Sequence, residues 1–319
     1  MASSGSYNFT LTRDDIINLA HQHVSAIGEG ETASTAQLSE ASNLLNMIVK
    51  LRAADGMPLW ALKRGYILPF TAASSINTDS HVVTFYDATS VATAAAASAT
   101  TIVIAAAGTI ANSDQIGIED DDGNMNWTTV SAGGGTTSLT IATGITAAAA
   151  VGSRVYAYTA SADRIQKPLR IVDMDIKLES AGTRHPINII TSQEYYSLGS
   201  PTSEGTPNQV FYDRGPSSDT ALETNGRFFV YPRFQTGDYV IEFTYQRPFQ
   251  DFDAASDNPD FPQAFYLPLM LELAALLGPK FGLPTDERKL LRLDAQFYLD
   301  QALMTIQPEG SLYAQPESR

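Results

Sequence analysis

Cysteine is absent from this 319-residue chain, and only four histidines occur, His21, His23, His81 and His185. The first absence removes disulfides, thiolate metal sites and a cysteine nucleophile. The second leaves little for a histidine-rich metal centre. Basic residues are also few: 20 Lys and Arg stand against 35 Asp and Glu, a net charge of −15. Gripping nucleic acid through its phosphates needs clustered Lys and Arg, so that function is disfavoured. No basic-then-apolar leader opens the chain; its first basic residue is Arg13. The long uncharged stretch, Ala88 to Ser113, is mostly Ala, Thr and Ser rather than the Leu, Ile and Phe of a spanning helix, so no membrane is expected. What is present is a 44% hydrophobic content, enough for a sizeable core.

Composition divides the chain into segments 1–69, 70–160, 161–250 and 251–319, with net charges of −1, −6, −2 and −6. The first reads as a helical hairpin. Thr12 precedes Asp14 and Asp15, Ile16, Ala20, Val24 and Ile27 repeat at helical spacing, and Gly28 stops the run. Ser34 and Gln37 stand in capping-box spacing before Leu38, Ala41, Leu45 and Ile48. The second segment changes period. Short β-type runs at Thr101–Ala105, Gln115–Glu119, Asn126–Val130, Ser138–Ile141 and Arg154–Tyr158, separated by turn residues, suggest a small antiparallel barrel or sandwich. The third, 161–250, reads as an antiparallel β-region with strands at Arg170–Leu178, Pro186–Ile190, Gln209–Tyr212, Arg227–Tyr231 and Tyr239–Tyr245; the last two read as a hairpin. Helices return in 251–306, where Leu267, Leu271, Ala274 and Leu277 form one face. Leu290, Leu293, Phe297, Leu303 and Ile306 are the expected buried positions of the last helix. Residues 307–319 read as an extended tail. The fold class expected is therefore α+β: a helical bundle from the N- and C-terminal helices, with antiparallel β-domains inserted between them.

Motifs for chemistry are sparse. Neither a G-x-x-x-x-G-K-[ST] loop nor a strand-linked G-x-G-x-x-G occurs, and no G-x-S-x-G elbow. Gly133–Gly135 has no Lys or helix after it and reads as a turn. Asp120, Asp122 and Asn124 alternate as calcium ligands do, but the glycine comes two places early and Ser131 stands where the closing Glu is needed, so cation loop and solvated turn are both open readings. His21 and His23 fall roughly 200° apart on a helix and cannot chelate one metal. His185 before Pro186 reads as a turn residue, and Asp251 and Asp253 as helix-entry residues. No catalytic, cofactor or metal residue is assigned, and the expectation is a non-enzymatic protein whose apolar faces pack against other chains.

Two regions carry a resemblance. One runs from Thr12-Arg13-Asp14-Asp15-Ile16-Ile17 through the paired helices to Leu51-Arg52-Ala53-Ala54-Asp55-Gly56-Met57-Pro58-Leu59-Trp60. The other is Tyr245-Gln246-Arg247-Pro248-Phe249-Gln250-Asp251-Phe252-Asp253, continuing into Pro259-Asp260-Phe261-Pro262-Gln263 and a Leu/Ala-rich helix closing on Gly278-Pro279-Lys280-Phe281-Gly282. Together they resemble the head-to-tail connector proteins of tailed bacteriophages, especially the adaptor or tail-accessory proteins of short-tailed phages. Gln115–Glu119 through Trp127–Val130 is similar to a β-insertion of some members.

That resemblance implies a structural virion protein of the neck or tail, assembled in the host cytoplasm. It implies a homo-oligomeric ring, usually of twelve copies, docked on the portal protein. The ring would extend the DNA channel and form the platform for tail and nozzle proteins, with genomic DNA passing through without specific binding. Leu312 and Tyr313, on a tail kept extended by Pro308 and Pro316, are the implied portal-facing anchors. An acidic lumen would repel phosphate and let DNA slide. Within the class, a tail tubular, nozzle-proximal ring protein is the alternative. Outside it stand a tail-associated glycan-degrading enzyme using the acids at 119–122, and a β-rich carbohydrate binder suggested by Trp127.

Overall fold

A computed structural model of the chain describes residues 9–54, 61–71, 73–165, 167–200, 202–214 and 225–304. The chain divides into two units: the two ends, Met1–Ala61 with Pro248–Arg319, and the middle, Leu62–Arg247.

In the first unit, α1 (Arg13–His23) and α2 (Thr35–Ala54) come from the N-terminal end. Thr12 accepts from the Asp15 N–H while the Asp15 carboxylate accepts from the Thr12 N–H, a complete capping box that fixes where α1 starts. Ser34 and Gln37 make the same exchange ahead of α2. The C-terminal end supplies the helices Tyr266–Leu277 and Thr285–Met304, numbered α5 and α6 below. The longer apolar segment Gln263–Phe281, which contains the first of these, meets the length and composition of a membrane-crossing helix, and 56% of it is buried inside the protein. Pro268 is the third residue of α5, in the first turn, where its missing N–H leaves no intrahelical bond unmade. Helices α1, α2 and α6 pack on α5.

The connector leading to α5 is tied to the N-terminal helices by a chain of polar contacts. The Asn46 side chain both donates to the Phe252 carbonyl (3.3 Å) and accepts from its N–H (2.9 Å). Lys50 donates to the Phe249 carbonyl and pairs with Asp251 at 2.6 Å. The Arg13 N–H donates to the Asp257 carbonyl. Arg52 meets Glu272 of α5 at 2.9 Å, and Lys280 pairs with Glu40.

The middle unit holds β1 (Leu62–Ile67), β2 (Ser75–Asn77), β3 (Val82–Val83), β4 (Asp87–Thr93), β5 (Thr101–Ile104), β6 (Gln115–Glu119), β7 (Met125–Ala132), β8 (Ser138–Ile141) and β9 (Arg154–Tyr158). After the short helix α3 (Ala160–Asp163) come β10 (Arg170–Leu178), β11 (Thr183–Pro186) and β12 (Asn188–Ile189), then α4 (Ser192–Tyr196). The unit closes with β13 (Glu204–Gly205), β14 (Gln209–Asp213), β15 (Arg227–Tyr231), β16 (Arg233–Phe234) and β17 (Tyr239–Gln246). Strands β4-β5-β8-β7-β6-β9 close into a barrel. Its interior is aliphatic: Ile102, Ile116, Ile118, Leu139 and Val155 are fully buried. Gly117 lies opposite Trp127 in the ladder, and the indole lies so close over it that a Cβ would sit 2.8 Å from the ring.

Two further sheets, β11-β10-β17-β1-β3 and β12-β14-β15-β2, face each other. Their shared core is aromatic, with Phe228 of one sheet 5.1 Å from Phe243 of the other. On the opposite side of the first sheet, Leu68, Val83 and Val240 pack with Met125, Tyr156 and Tyr158 of the barrel. The Tyr156 hydroxyl donates to the Gly237 carbonyl at 2.6 Å, and Tyr86 donates to Glu179 at 2.5 Å. Burial pushes both phenols well above their ordinary range, so they act only as neutral donors.

The expected helical bundle with inserted antiparallel β-domains is overturned. The chain is mostly β, 31% strand against 28% helix, built around a closed six-stranded barrel and several sheets. Three physical reasons stand out. Leu290, Leu293 and Phe297 of α6 lie on the surface, so the last helix does not bring its large side chains to a common bundle core. Leu62–Ile67, read with the N-terminal hairpin, is a strand paired along its length with β17. Nor are the sheets wholly antiparallel, since β12 and β14, and β13 and β16, run parallel. The hairpin expected between β15 and β17 is also absent: β15 pairs with β14 and β2, β17 with β1 and β10. The connection between them carries Phe234 into the core and crosses from one sheet to the other.

Candidate functional site

The clearest surface feature is on α6. Leu290, Leu293, Phe297 and Met304 fall within a stripe of roughly 60° on the helix, and all four are more than half exposed. The side of α6 packed into the unit carries small residues instead, Ala295 and Ala302. The helix thus has two apolar faces, one closed on its neighbours and one open. Exposed Met47 and Leu51 of α2, four residues apart, form a second patch in the same unit.

The residues singled out for chemistry are structurally occupied. Asp120, almost fully buried, accepts at Oδ1 from the N–H groups of Asp122 and Asn124 and at Oδ2 from Asn126 and Thr146. A carboxylate whose lone pairs are filled by its own turn has none left for a cation. Glu119 accepts from the N–H groups of Gly237 and Arg154, and Asp121 from that of Ala150. Glu119, Asp120 and Asp121 therefore each hold backbone N–H groups of loops and strands, while Asp122 is exposed. No group of three or more metal-binding side chains occurs among the described residues.

His21 is buried, bonds the Ile17 carbonyl one turn back (2.9 Å) and meets Phe281 edge-on; His23 is exposed. His185 lies exposed on β11. Gly133 and Gly135 both take positive φ, the turn geometry that Gly favours. Asp251 pairs with Lys50, and the Asp253 N–H donates to Asp257. Leu312 and Tyr313 lie outside the described residues, as do residues 55–60 of the first resembling run.

One site was missed in the sequence. A cleft of about 450 Å³ lies in the middle unit, lined by Phe70, Ser75, Asn77, His81, Trp127 and Arg227 among others. His81 stacks on Trp127 with ring centroids 3.9 Å apart and 18° between planes, while the Trp127 N–H donates to the Pro69 carbonyl. Burial, aided by the Arg164 charge, pulls His81 down to about 4, so its ring is neutral near pH 7. The backbone at His81 has φ of +23°, a strained value for a residue with a side chain. The cleft residues are scattered between positions 70 and 227, so no local spacing could announce them.

No known protein family matches this chain, and no curated protein matches it.

Proposed function

We propose that this chain is a non-enzymatic structural protein of a phage head-to-tail connector, an adaptor that docks on the portal and carries the rest of the tail. The observation that carries the reading is the open face of α6. A helix already packed through Ala295 and Ala302 gains nothing as a monomer from Leu290, Leu293, Phe297 and Met304 in water. Side-by-side packing of copies gives that stripe a use. The resemblance of the Thr12–Ile17 and Tyr245–Asp253 runs to the connector proteins supplies the particular assembly.

The bonds that hold Glu119, Asp120 and Asp121 leave Asp122 alone of the four both exposed and without a hydrogen-bond partner among the described residues, which disfavours the glycan-cleaving alternative, since that needs two free carboxylates flanking a bond. The chain charge of −15 suits a channel wall that DNA slides past. The test is electron microscopy of the purified protein mixed with the portal protein of the same phage. A ring seated on the portal is expected; a portal that retains no copies of this chain overturns the reading.

A further inference from the structure

The cleft beside Trp127 has a chemistry that the assembly reading does not use. The Tyr158 oxygen accepts from the His81 backbone N–H (3.2 Å), and the positive Arg164 acts on the same phenol. The same hydroxyl lies 3.1 Å from Nδ1 of His81, within hydrogen-bond distance. Nε2 of His81 has no hydrogen-bond partner among the described residues.

Arg227 is held in a similar way. Its Nε donates to Oδ1 of Asn77 at 3.0 Å, which fixes the guanidinium plane, and its terminal NH2 groups have no hydrogen-bond partner among the described residues. Ser75 and Ser80 add hydroxyls to the lining, and Phe70 and Met125 add apolar surface. Among the described residues no carboxylate lines it, in a chain with 35 Asp and Glu. Two carboxylates adjoin its lining residues along the chain or across the ladder. Asp79 accepts from Asn225 (3.0 Å), and Asp213 stands opposite Arg227 across the β14–β15 ladder. Donors without matching acceptors, a preset guanidinium fork and an apolar floor together complement a planar anion on an apolar body. The volume lies in the range of small-ligand sites.

We propose that this cleft binds a carboxylate attached to an aromatic or aliphatic group, with Arg227 pairing the carboxylate and the apolar body against Phe70 and Met125. Such a carboxylate is carried by a peptide C-terminus or by an acidic side chain, and the two are distinguishable by experiment.

The test is calorimetric titration of the full chain with N-acetylphenylalanine and with its neutral amide. The acid is expected to bind saturably and the amide at least about tenfold more weakly, the size of one charge-assisted hydrogen-bonded pair. Arg227→Gln should bring the acid down to the level of the amide. N-acetyl-Ala-Phe and N-acetyl-Asp-Phe-amide then separate the sources: tighter binding of the first assigns a C-terminal carboxylate, of the second a side-chain carboxylate, and either supports the proposal. Equal binding of acid and amide, no saturable binding of the acid, or an unchanged affinity in a folded Arg227→Gln protein would overturn it. Should that variant fail to fold, the acid–amide pair on the unaltered chain decides alone. The outcome is independent of portal docking, so this proposal and the adaptor reading fail separately.

Discussion

The middle unit and the terminal unit treat apolar residues in opposite ways. In the middle, the barrel and the paired sheets close filled cores, with Ile118, Leu139, Phe228 and Phe243 at or near zero exposure, and leave Phe85, Val151, Val172, Ile189 and Tyr196 outside those cores. In the terminal unit, α5 buries most of its side chains but exposes Leu267 and Leu276, while α6 and α2 leave Leu293, Phe297, Met47 and Leu51 in water. A closed barrel has no edge to leave unpaired, and a sandwich fills its interior by alternation, so both finish their burial within one chain. A helix has a whole circumference, and α6 uses only its alanine side for its own unit. Stability therefore resides chiefly in the middle, and the surface available for association chiefly at the ends.

The sharpest way to break this contrast is to cut the cores of the middle unit. Phe228→Ala, between the two sheets, should cost about 4 kcal/mol, and Ile118→Ala, inside the barrel, about 3 kcal/mol. Denaturant unfolding measures both. Losses near zero would mean that the middle unit is not the stable part.

A second test uses His81. Its folded value of about 4 lies below the ordinary 6.5, so the unfolded chain binds the proton more readily. The neutral ring's contribution is fully present above pH 6.5 and is lost as pH falls toward 4, up to about 3 kcal/mol over that window. Unfolding midpoints measured across pH 4–7 should therefore fall more steeply in the native chain than in His81→Gln. Parallel curves would contradict the burial of that ring.

In the terminal unit the expected losses are smaller. Asn46→Ala removes both hydrogen bonds to the Phe252 backbone and should cost about 1–2 kcal/mol. Proteolysis of the 249–260 connector is the direct readout, with faster cleavage expected in the variant.

Local signals and long-range pairing were legible to different degrees. Thr12 and Ser34 announce their helices because a cap acts within one turn. Gln115–Glu119, Ser138–Ile141, Arg154–Tyr158 and Arg170–Leu178 appear as strands at the residues their composition marks. Asp87–Thr93 went unread, because in a run of Ala, Thr and Ser only Val91 turns to the barrel core. Leu62–Ile67 went unread because its partner in β17 lies far along the chain, and pairing at that distance leaves no local period. Of the positions expected to be buried in α6, Leu290, Leu293 and Phe297 are open, Leu303 is half-buried and Ile306 lies outside the described residues. Periodicity marks an apolar face without saying whether the same chain covers it. The cleft at His81 and Arg227 was out of reach for the same reason as β1: tertiary packing alone brings its residues together.

The central claim is that the open face of α6 joins copies of this chain, or joins it to its portal, without holding up its own fold. Mass photometry of a Leu290→Ser, Leu293→Ser, Phe297→Ser triple variant, mixed with portal protein, tests it most directly. The account predicts that the native chain forms rings on the portal and the variant stays unassembled, while each exposed substitution shifts unfolding free energy by no more than about 0.5 kcal/mol. Rings formed equally well by the variant would contradict it.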